Sequence, residues 1–249
     1  MITKKIGVWK MKKSHKKLWL ILSGSVLAVL IIGAVVVFGF ILPEVQKEAE
    51  WQRQVQAYRD AKMAQYQQEN EEYDDFEVDV AFLGDSLTDG YDLAKYYPQY
   101  LTANRGIGGD TTFNLQDRLQ VSVYDLKPKV AVMLIGANNM DTMFDNYEEI
   151  LIGLKENLPD TKIVLLSLTA MGGENWGRKN QLAAYNNVTI KLLAEKYGYT
   201  FIDLYTPLYD VSIREVYAGY TVDGGHFTPT GYEAVTAQIT PVLEQLLGK

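Results

Sequence analysis

Short runs of apolar residues recur along the chain from residue 77 onward. They are Val78–Leu83, Val130–Ile135, Ile163–Leu168 and the shorter Phe201–Leu204. Apolar runs of this length are typical of strands that are buried on both faces of a sheet. The pattern therefore predicts a strand at each of these four positions.

Each predicted strand is followed by a stretch that is compatible with a helix, most clearly 145–157, 179–197 and 229–247. Strands that alternate with helices indicate an α/β domain with a parallel sheet. In such domains ligands bind beyond the carboxyl ends of the strands. The polar residues that follow the predicted strands are therefore the candidates for function.

The first 42 residues have a different pattern. Seven lysines and no acidic residue lie within residues 1–17, and Leu18–Leu42 follow without one charge. A bilayer core of about 30 Å is crossed by roughly 20 apolar residues in a helix, so 18–42 is predicted to be a transmembrane helix. The alternatives are a buried core helix and a cleaved signal peptide. The preceding lysines predict a cytoplasmic N-terminus and an extracellular position for residues 44–249.

Residues 43–76 are interpreted as a helical stalk. After Pro43 they are rich in Glu, Gln, Ala and Lys and contain no glycine, a composition that favours helix. The stalk could instead pack on the domain or pair with a second copy of the chain. The predicted organisation is thus a basic cytoplasmic tail (1–17), a membrane span (18–42), a stalk (43–76) and one globular domain (77–249).

Charge and cysteine content exclude several functions. The chain has 24 basic and 31 acidic residues, and the seven lysines before residue 44 leave a formal charge of −14 on the remainder. An acidic outer domain argues against nucleic acid as a partner. There is no cysteine, so thiol nucleophiles, zinc–thiolate sites, iron–sulfur clusters and disulfides are excluded.

His226 is the only histidine outside the basic tail, and it follows Asp223 in the sequence Asp-Gly-Gly-His. A lone histidine is more often structural than functional. An aspartate three residues earlier, however, can accept a hydrogen bond from Nδ1–H and leave Nε2 free to accept a proton. His226 is therefore a candidate general base, with Asp223 as its orienting partner.

Ser86 is the candidate nucleophile for such a base. It lies in Gly-Asp-Ser-Leu-Thr-Asp-Gly, directly after the first predicted strand. A serine at a strand-to-helix turn exposes its hydroxyl beside backbone N–H groups that stabilise an anion. The alternative is that this serine or the preceding aspartate is only a helix N-cap.

Two further segments contain possible oxyanion donors. Gly109 lies in the glycine-rich sequence 104–112, where backbone N–H groups can approach a ligand, and Asn138 follows the second predicted strand. The glycine spacing does not fit a Rossmann or P-loop motif. The alternatives are a phosphate-binding loop or a plain turn for Gly109, and loop capping for Asn138.

The four blocks GDSLTDG, NRGIGGDTT, GANN and DGGH occur in this order over residues 84–226. Together they resemble the SGNH (GDSL) hydrolase family of serine esterases and lipases, in the style of its platelet-activating-factor acetylhydrolase-like branch. The resemblance covers essentially the whole domain. It implies a flavodoxin-like three-layer α/β/α fold with a five-stranded parallel sheet. It also implies a catalytic triad of Ser86, Asp223 and His226, and an oxyanion site formed by the Ser86 and Gly109 N–H groups and the Asn138 amide.

Two positions depart from the usual family pattern. Asn139 occupies the place where many members have aspartate, which puts the packing of that loop in question. Phe227 and Thr228 separate the histidine from Pro229, whereas many members have proline directly after the histidine. Neither departure removes a residue of the implied triad.

The expected function is hydrolysis of an acyl ester, most simply removal of an acetyl group from an envelope carbohydrate. Alternatives are a lysophospholipid or other lipid ester as substrate, transfer of the acyl group to a glycan, and binding without catalysis. No metal or organic cofactor is implied, and the sequence does not indicate an oligomeric state. Trp176, in the loop after the strand 163–168, is a candidate border of the acyl or sugar site.

Overall fold

The computed structural model describes residues 21–27, 32–33 and 35–248. The chain divides into two compact units, residues 1–58 and 59–249. The described residues of the first unit are helical and include a π-helical turn at Val37–Ile41. Helix α1 then occupies Leu42–Asn70.

The structure tests the N-terminal predictions only in part. The predicted tail, residues 1–17, lies outside the described residues, as do residues 18–20, 28–31 and 34 of the predicted span 18–42. Within the described residues, no helix is both long enough and apolar enough to cross a membrane. The span and the location of the domain therefore remain predictions.

The second unit is built on a five-stranded parallel sheet. In chain order its strands are β1 (Val80–Gly84), β2 (Thr102–Gly106), β3 (Val130–Leu134), β4 (Lys162–Leu166) and β5 (Thr200–Ile202). In the sheet they are ordered β2-β1-β3-β4-β5, and every neighbouring pair is parallel. This is the order of flavodoxin-like folds. The four predicted strands are confirmed, and each end lies within two residues of its predicted position. Strand β2 had no apolar run to reveal it.

The remaining helices and strands follow in chain order. They are α2 (Ser86–Asp89), α3 (Leu93–Tyr96), α4 (Thr112–Asp117), α5 (Tyr147–Asn157), α6 (Gly173–Trp176), α7 (Asn180–Tyr197), α8 (Tyr205–Leu208), the antiparallel pair β6 (Tyr209–Asp210) and β7 (Glu215–Val216), and α9 (Pro229–Leu247). A π-helical turn lies at Gln120–Tyr124, and 3₁₀ turns lie at Met143–Asp145 and Gly177–Lys179. The three long predicted helices correspond to α5, α7 and α9.

Alternate residues of the central strands enter two separate cores. On one face, Leu83 and Met133 pack with apolar side chains of α5 and α7. On the other face, Phe82 and Val132 pack with side chains of α2, α3 and α9. Because neighbouring strand residues point to opposite faces, a strand buried on both faces reads as a continuous apolar run. The predicted α/β class, with a parallel sheet between two helical layers, is confirmed.

Candidate active site

Ser86 lies at the carboxyl end of β1, where the chain turns into α2. Asp85 is the N-cap of this short helix, and its Oδ1 accepts a hydrogen bond from the Leu87 N–H at 3.1 Å. Ser86 is half-buried and is the first residue of the helix. Among the described residues its backbone N–H has no hydrogen-bond partner. The cap thus belongs to Asp85, which leaves the Ser86 hydroxyl for other contacts.

The loop before α9 brings His226 to Ser86. The Ser86 Oγ lies 3.0 Å from His226 Nε2, and His226 Nδ1 lies 2.8 Å from Asp223 Oδ2. With Nδ1–H donating to the aspartate, Nε2 is the acceptor for the serine hydroxyl. The side chains of His226 and Asp223 are 43% and 39% exposed, so a substrate can reach the imidazole from solvent.

Asp223 is held as a carboxylate by its neighbours. Its Oδ1 accepts hydrogen bonds from the backbone N–H groups of Gly225, at 2.9 Å, and His226, at 2.8 Å. Partial burial alone would raise the pKa of Asp223, but these two bonds and the one from the imidazole outweigh it and hold the pKa well below its usual range. The imidazole is therefore oriented by a charged acceptor.

The Asp-Gly-Gly-His turn depends on its first glycine. Gly224 has φ +92°, a conformation that L side chains rarely adopt. A Cβ at this position would also lie 1.8 Å from the Gly172 carbonyl oxygen. Glycine is therefore required at position 224 for two reasons: its backbone conformation, and the loop containing Gly172, which lies too close for a side chain.

The glycine-rich loop after β2 lies beside Ser86. A Cβ built on Gly108 would be 3.9 Å from the Ser86 Cβ. Gly109 has φ +82°, and its N–H finds no hydrogen-bond partner in the part of the chain that the structure describes. Asn138, which follows β3, donates from Nδ2 to the Asp110 carbonyl oxygen at 2.9 Å. Ser86, His226 and Asp223 are thus joined by hydrogen bonds, and the loops that carry Gly109 and Asn138 leave the carboxyl ends of β2 and β3, the strands on either side of β1.

Asn139, the first departure from the family pattern, links two loops by hydrogen bonds. Its Oδ1 accepts from the Thr112 N–H at 3.2 Å, and its Nδ2 donates to the Thr112 Oγ1 at 2.9 Å. An aspartate could accept the first bond but could not donate the second. Asn139 thus supports the packing of the loop that precedes α4. At the second departure, Phe227 is buried in the core and Thr228 caps α9.

Arg118 is a structural residue of the site that sequence reasoning missed. It is fully buried, and it donates to Asp110 Oδ2 at 2.7 Å, to the Arg105 carbonyl at 2.9 Å and to the Gly84 carbonyl at 2.9 Å. It therefore joins the ends of β1 and β2 to the loop that follows β2. The available signal was a charged residue at apolar spacing, three residues after Leu115 and one before Leu119.

Asp110 is the buried acid that receives this arginine. Its side chain is 1% exposed. Burial raises its pKa, and the guanidinium groups of Arg118 and Arg59 oppose that rise. Asp110 directly follows Gly109 in the chain. Its ion pair therefore holds the backbone next to the candidate oxyanion donor.

Trp176 borders His226, as expected from the sequence. The two rings are 5.8 Å apart between centroids and nearly perpendicular. Lys179 Nζ lies 4.7 Å from the centroid of the indole ring. An aromatic ring therefore lies beside the imidazole on the side of α6, and the cation of Lys179 lies over that ring.

Comparison with known proteins identifies the family. The profile of the GDSL-like lipase/acylhydrolase family matches residues 82–234, more than half of the chain. A search of curated protein sequences found no match. Among solved structures, a GDSL-like lipase from Bacteroides thetaiotaomicron is 25% identical with a TM-score of 0.65, and the match covers 74% of this chain and 97% of that one.

Two further structures are similar over most of the chain. A Bacteroides fragilis protein provisionally described as an acylhydrolase is 25% identical, with a TM-score of 0.65 and coverage of 73% of this chain and 95% of that one. A Streptococcus pneumoniae protein provisionally described as a platelet activating factor shares the fold at 24% identity, with a TM-score of 0.72 and coverage of 81% and 99%. With the family profile extending from β1 into α9, this chain belongs to the GDSL-like lipase/acylhydrolase family and is a carboxylic ester hydrolase.

Proposed function

We propose that the protein is a serine esterase that removes short acyl groups through a triad of Ser86, His226 and Asp223. The observation that carries this proposal is the continuous hydrogen-bonded chain from the Ser86 hydroxyl through the imidazole to the aspartate, with distances of 3.0 and 2.8 Å. A nucleophile, a base and a group that orients the base are the components that acyl transfer requires.

The proposed reaction has two steps. His226 Nε2 accepts the hydroxyl proton as Ser86 Oγ attacks the ester carbonyl, and the same proton then goes to the leaving alcohol. This leaves an acyl-enzyme, and a water molecule repeats the sequence to release the acid and regenerate the serine. The tetrahedral oxyanion would accept hydrogen bonds from the N–H groups of Ser86 and Gly109 and from the Asn138 amide.

The openness of the site supports an ester on a large carrier. The imidazole and its aspartate are about two-fifths exposed, so an acyl group can be presented from a polymer surface. This exposure and the resemblance to the acetylhydrolase-like branch favour removal of acetyl groups from an envelope carbohydrate.

A lipid ester is the second candidate, and exposed apolar side chains favour it. Val222, next to the triad aspartate, is 73% exposed, and Val211 and Ile213 of the β6–β7 hairpin are 77% and 53% exposed. The hairpin is connected to the histidine loop because Val216 N–H donates to Met171 O, and Gly172 N–H donates to Gly224 O. These exposed apolar side chains would suit contact with the acyl chains of a lipid.

The proposed location rests on the N-terminal sequence. The lysines of residues 1–17 followed by the uncharged segment 18–42 favour a single-pass anchor with the esterase domain outside the cell. Membranes washed with alkaline carbonate should retain the full-length chain and release a chain that lacks residues 1–43. Release of both would contradict the anchor.

Hydrolysis of p-nitrophenyl acetate, butyrate and octanoate by the full-length chain in detergent tests the activity. We expect hydrolysis of the acetate that is lost in Ser86→Ala and kept in the control Ser212→Ala, which alters an exposed serine of the hairpin. A preference for octanoate would move the assignment to lipid esters. Hydrolysis that persists in Ser86→Ala would refute the proposed triad.

The same assay separates hydrolysis from acyl transfer. Addition of an acceptor sugar should leave the rate of acetate release unchanged if water is the acceptor. Acylated sugar as the main product would make the protein a transferase. If the folded protein cleaves none of the esters with or without an acceptor, the assignment as an esterase is wrong and a binding function takes its place.

A further inference from the structure

The end of helix α1 lies against the loop that holds the proposed oxyanion donors. Arg59 Nε is 3.0 Å from Asp110 Oδ1, and Lys62 Nζ is 2.7 Å from Asp89 Oδ1. The Tyr66 hydroxyl donates to the Gly106 carbonyl at 2.6 Å. Residues spaced by three and four positions share one face of a helix. One face of α1 therefore makes all three contacts within the compact unit 59–249.

Each partner of this face is attached to the backbone around Gly109. Gly106 is the last residue of β2, directly before the loop, and Asp110 is the residue that follows Gly109. Asp89 Oδ2 accepts the Gly108 N–H at 3.0 Å, so the carboxylate that binds Lys62 also binds the loop. The three contacts thus hold the loop on both sides of the proposed donor.

The same contacts reach the second proposed donor. The Asp110 carbonyl accepts the Asn138 amide, so displacement of Asp110 would displace Asn138 as well. The ion pairs are shielded from solvent: the Arg59 side chain is 14% exposed, that of Lys62 is 23% exposed, and that of Asp110 is 1% exposed. Removal of Arg59 would leave the buried Asp110 carboxylate with Arg118 alone, and removal of Lys62 would take one cation from Asp89. A shielded charge that loses compensation favours rearrangement of the segment that carries it.

We propose that Arg59 and Lys62 are positioning residues for the oxyanion loop, the segment 107–111 that carries Gly109. The end of helix α1 therefore contributes to catalysis by the esterase. Both residues lie outside the segment 82–234 that the family profile matches. The proposal rests on the assignment of the Gly109 N–H and the Asn138 amide as oxyanion donors. It states that the loop geometry needed in the transition state depends on charges supplied by this helix.

The test compares variants of the full-length chain on p-nitrophenyl acetate. Arg59→Gln and Lys62→Gln should each lower kcat about tenfold or more and leave KM within about twofold, because misplaced donors weaken the transition state more than the ground state. Affinity for a boronic acid, which forms a tetrahedral adduct with the serine, should fall by the same factor as kcat/KM. Lys62→Arg should restore most of the activity because it restores the charge.

Arg53→Gln is the matched control. Arg53 lies on the same helix and pairs with Glu50 at the solvent-exposed surface, so its loss should leave kcat unchanged. Active-site titration normalises kcat to the folded, reactive fraction, and the melting temperature reports stability separately. A purely structural role would lower the melting temperature or the active fraction without changing the normalised kcat or the boronate affinity.

The outcomes distinguish the two proposals. If Ser86→Ala retains activity, the proposed function itself fails. If Ser86→Ala is inactive but Arg59→Gln and Lys62→Gln keep the normalised kcat and the boronate affinity, the triad stands and the positioning role is refuted. A fall in kcat for Arg53→Gln equal to that for Arg59→Gln would also refute it, since the effect would then not come through the loop.

Discussion

Replacement of Asn138 by alanine separates the contribution of a proposed oxyanion donor from that of loop packing. The side-chain amide has two N–H groups, and one of them donates to the Asp110 carbonyl at 2.9 Å. The second remains for a developing oxyanion. Loss of one such donor costs about 3–4 kcal/mol in the transition state, so Asn138→Ala should lower kcat by about 10²–10³.

The effect on stability should be much smaller. The bond to Asp110 O is one hydrogen bond of a half-buried side chain, and such a bond contributes about 1 kcal/mol. In a chain of this size that corresponds to a fall of about 2–4 °C in the melting temperature. The loss of activity should therefore far exceed anything that the loss of folded protein explains.

The assay is kcat and KM on p-nitrophenyl acetate at a fixed pH, normalised by active-site titration. Asn139→Ala is the control, because Asn139 ties the same loop through both of its bonds to Thr112 and is not a proposed donor. It should lose at least as much stability as Asn138→Ala, because it loses two hydrogen bonds, and less than tenfold in kcat. A fall of less than tenfold for Asn138→Ala, or an equal fall for Asn139→Ala, would refute the reasoning.

Two further predictions concern pH. Activity should fall on the acid side with a slope of one proton, because protonated His226 cannot accept the serine proton while hydrogen bonds keep the pKa of Asp223 well below that range; a flat profile between about pH 5 and 8 would contradict histidine as the base. Burial raises the pKa of Asp85 to about 6 from 3.8, although the Leu87 N–H opposes the rise, and Oδ2 has no hydrogen-bond partner among the described residues. Because the pKa of Asp85 is higher in the folded than in the unfolded protein, its contribution to stability is complete at low pH. That contribution is lost as the pH rises through about 4 to 6. Asp85→Asn, a neutral isostere, should therefore gain up to about 3 kcal/mol relative to the native chain between pH 4 and pH 7. Melting temperatures of both proteins across this range measure it, and a constant difference would rule out a raised pKa for Asp85. The acid limb of activity should persist in Asp85→Asn, and its disappearance would assign that limb to Asp85.

The strands that the sequence predicted are those with apolar side chains on both faces. Strands β1 and β3 are apolar on both faces, so their positions follow from composition alone. Strand β2 is polar and lies at the edge of the sheet. Its Arg105 is fully buried, and Glu69 and Asn70 of α1 accept hydrogen bonds from its guanidinium group. A polar strand of this kind cannot be predicted from a pattern of apolar residues, because distant residues provide its partners.

The candidate site divides in the same way. The pair Asp223 and His226 is local: three residues and a glycine turn are sufficient to bring the carboxylate to the imidazole. The contact of that imidazole with Ser86 joins residues 140 positions apart. The sequence motifs identified Ser86 and the pair Asp223 and His226 separately. The order of strands in the sheet then places them at the same edge.

The sequence by itself determined the α/β class, the positions of the apolar strands and long helices, and the candidate nucleophile, base and acid, since each depends on residue type and short-range spacing. Only the tertiary structure decided how Arg118 and Arg59 converge on Asp110. The charges of α1 fit a solvated stalk as well as a helix that supports the active-site loop. Which of the two is realised depends on packing over more than fifty residues of separation, a quantity that local sequence does not contain.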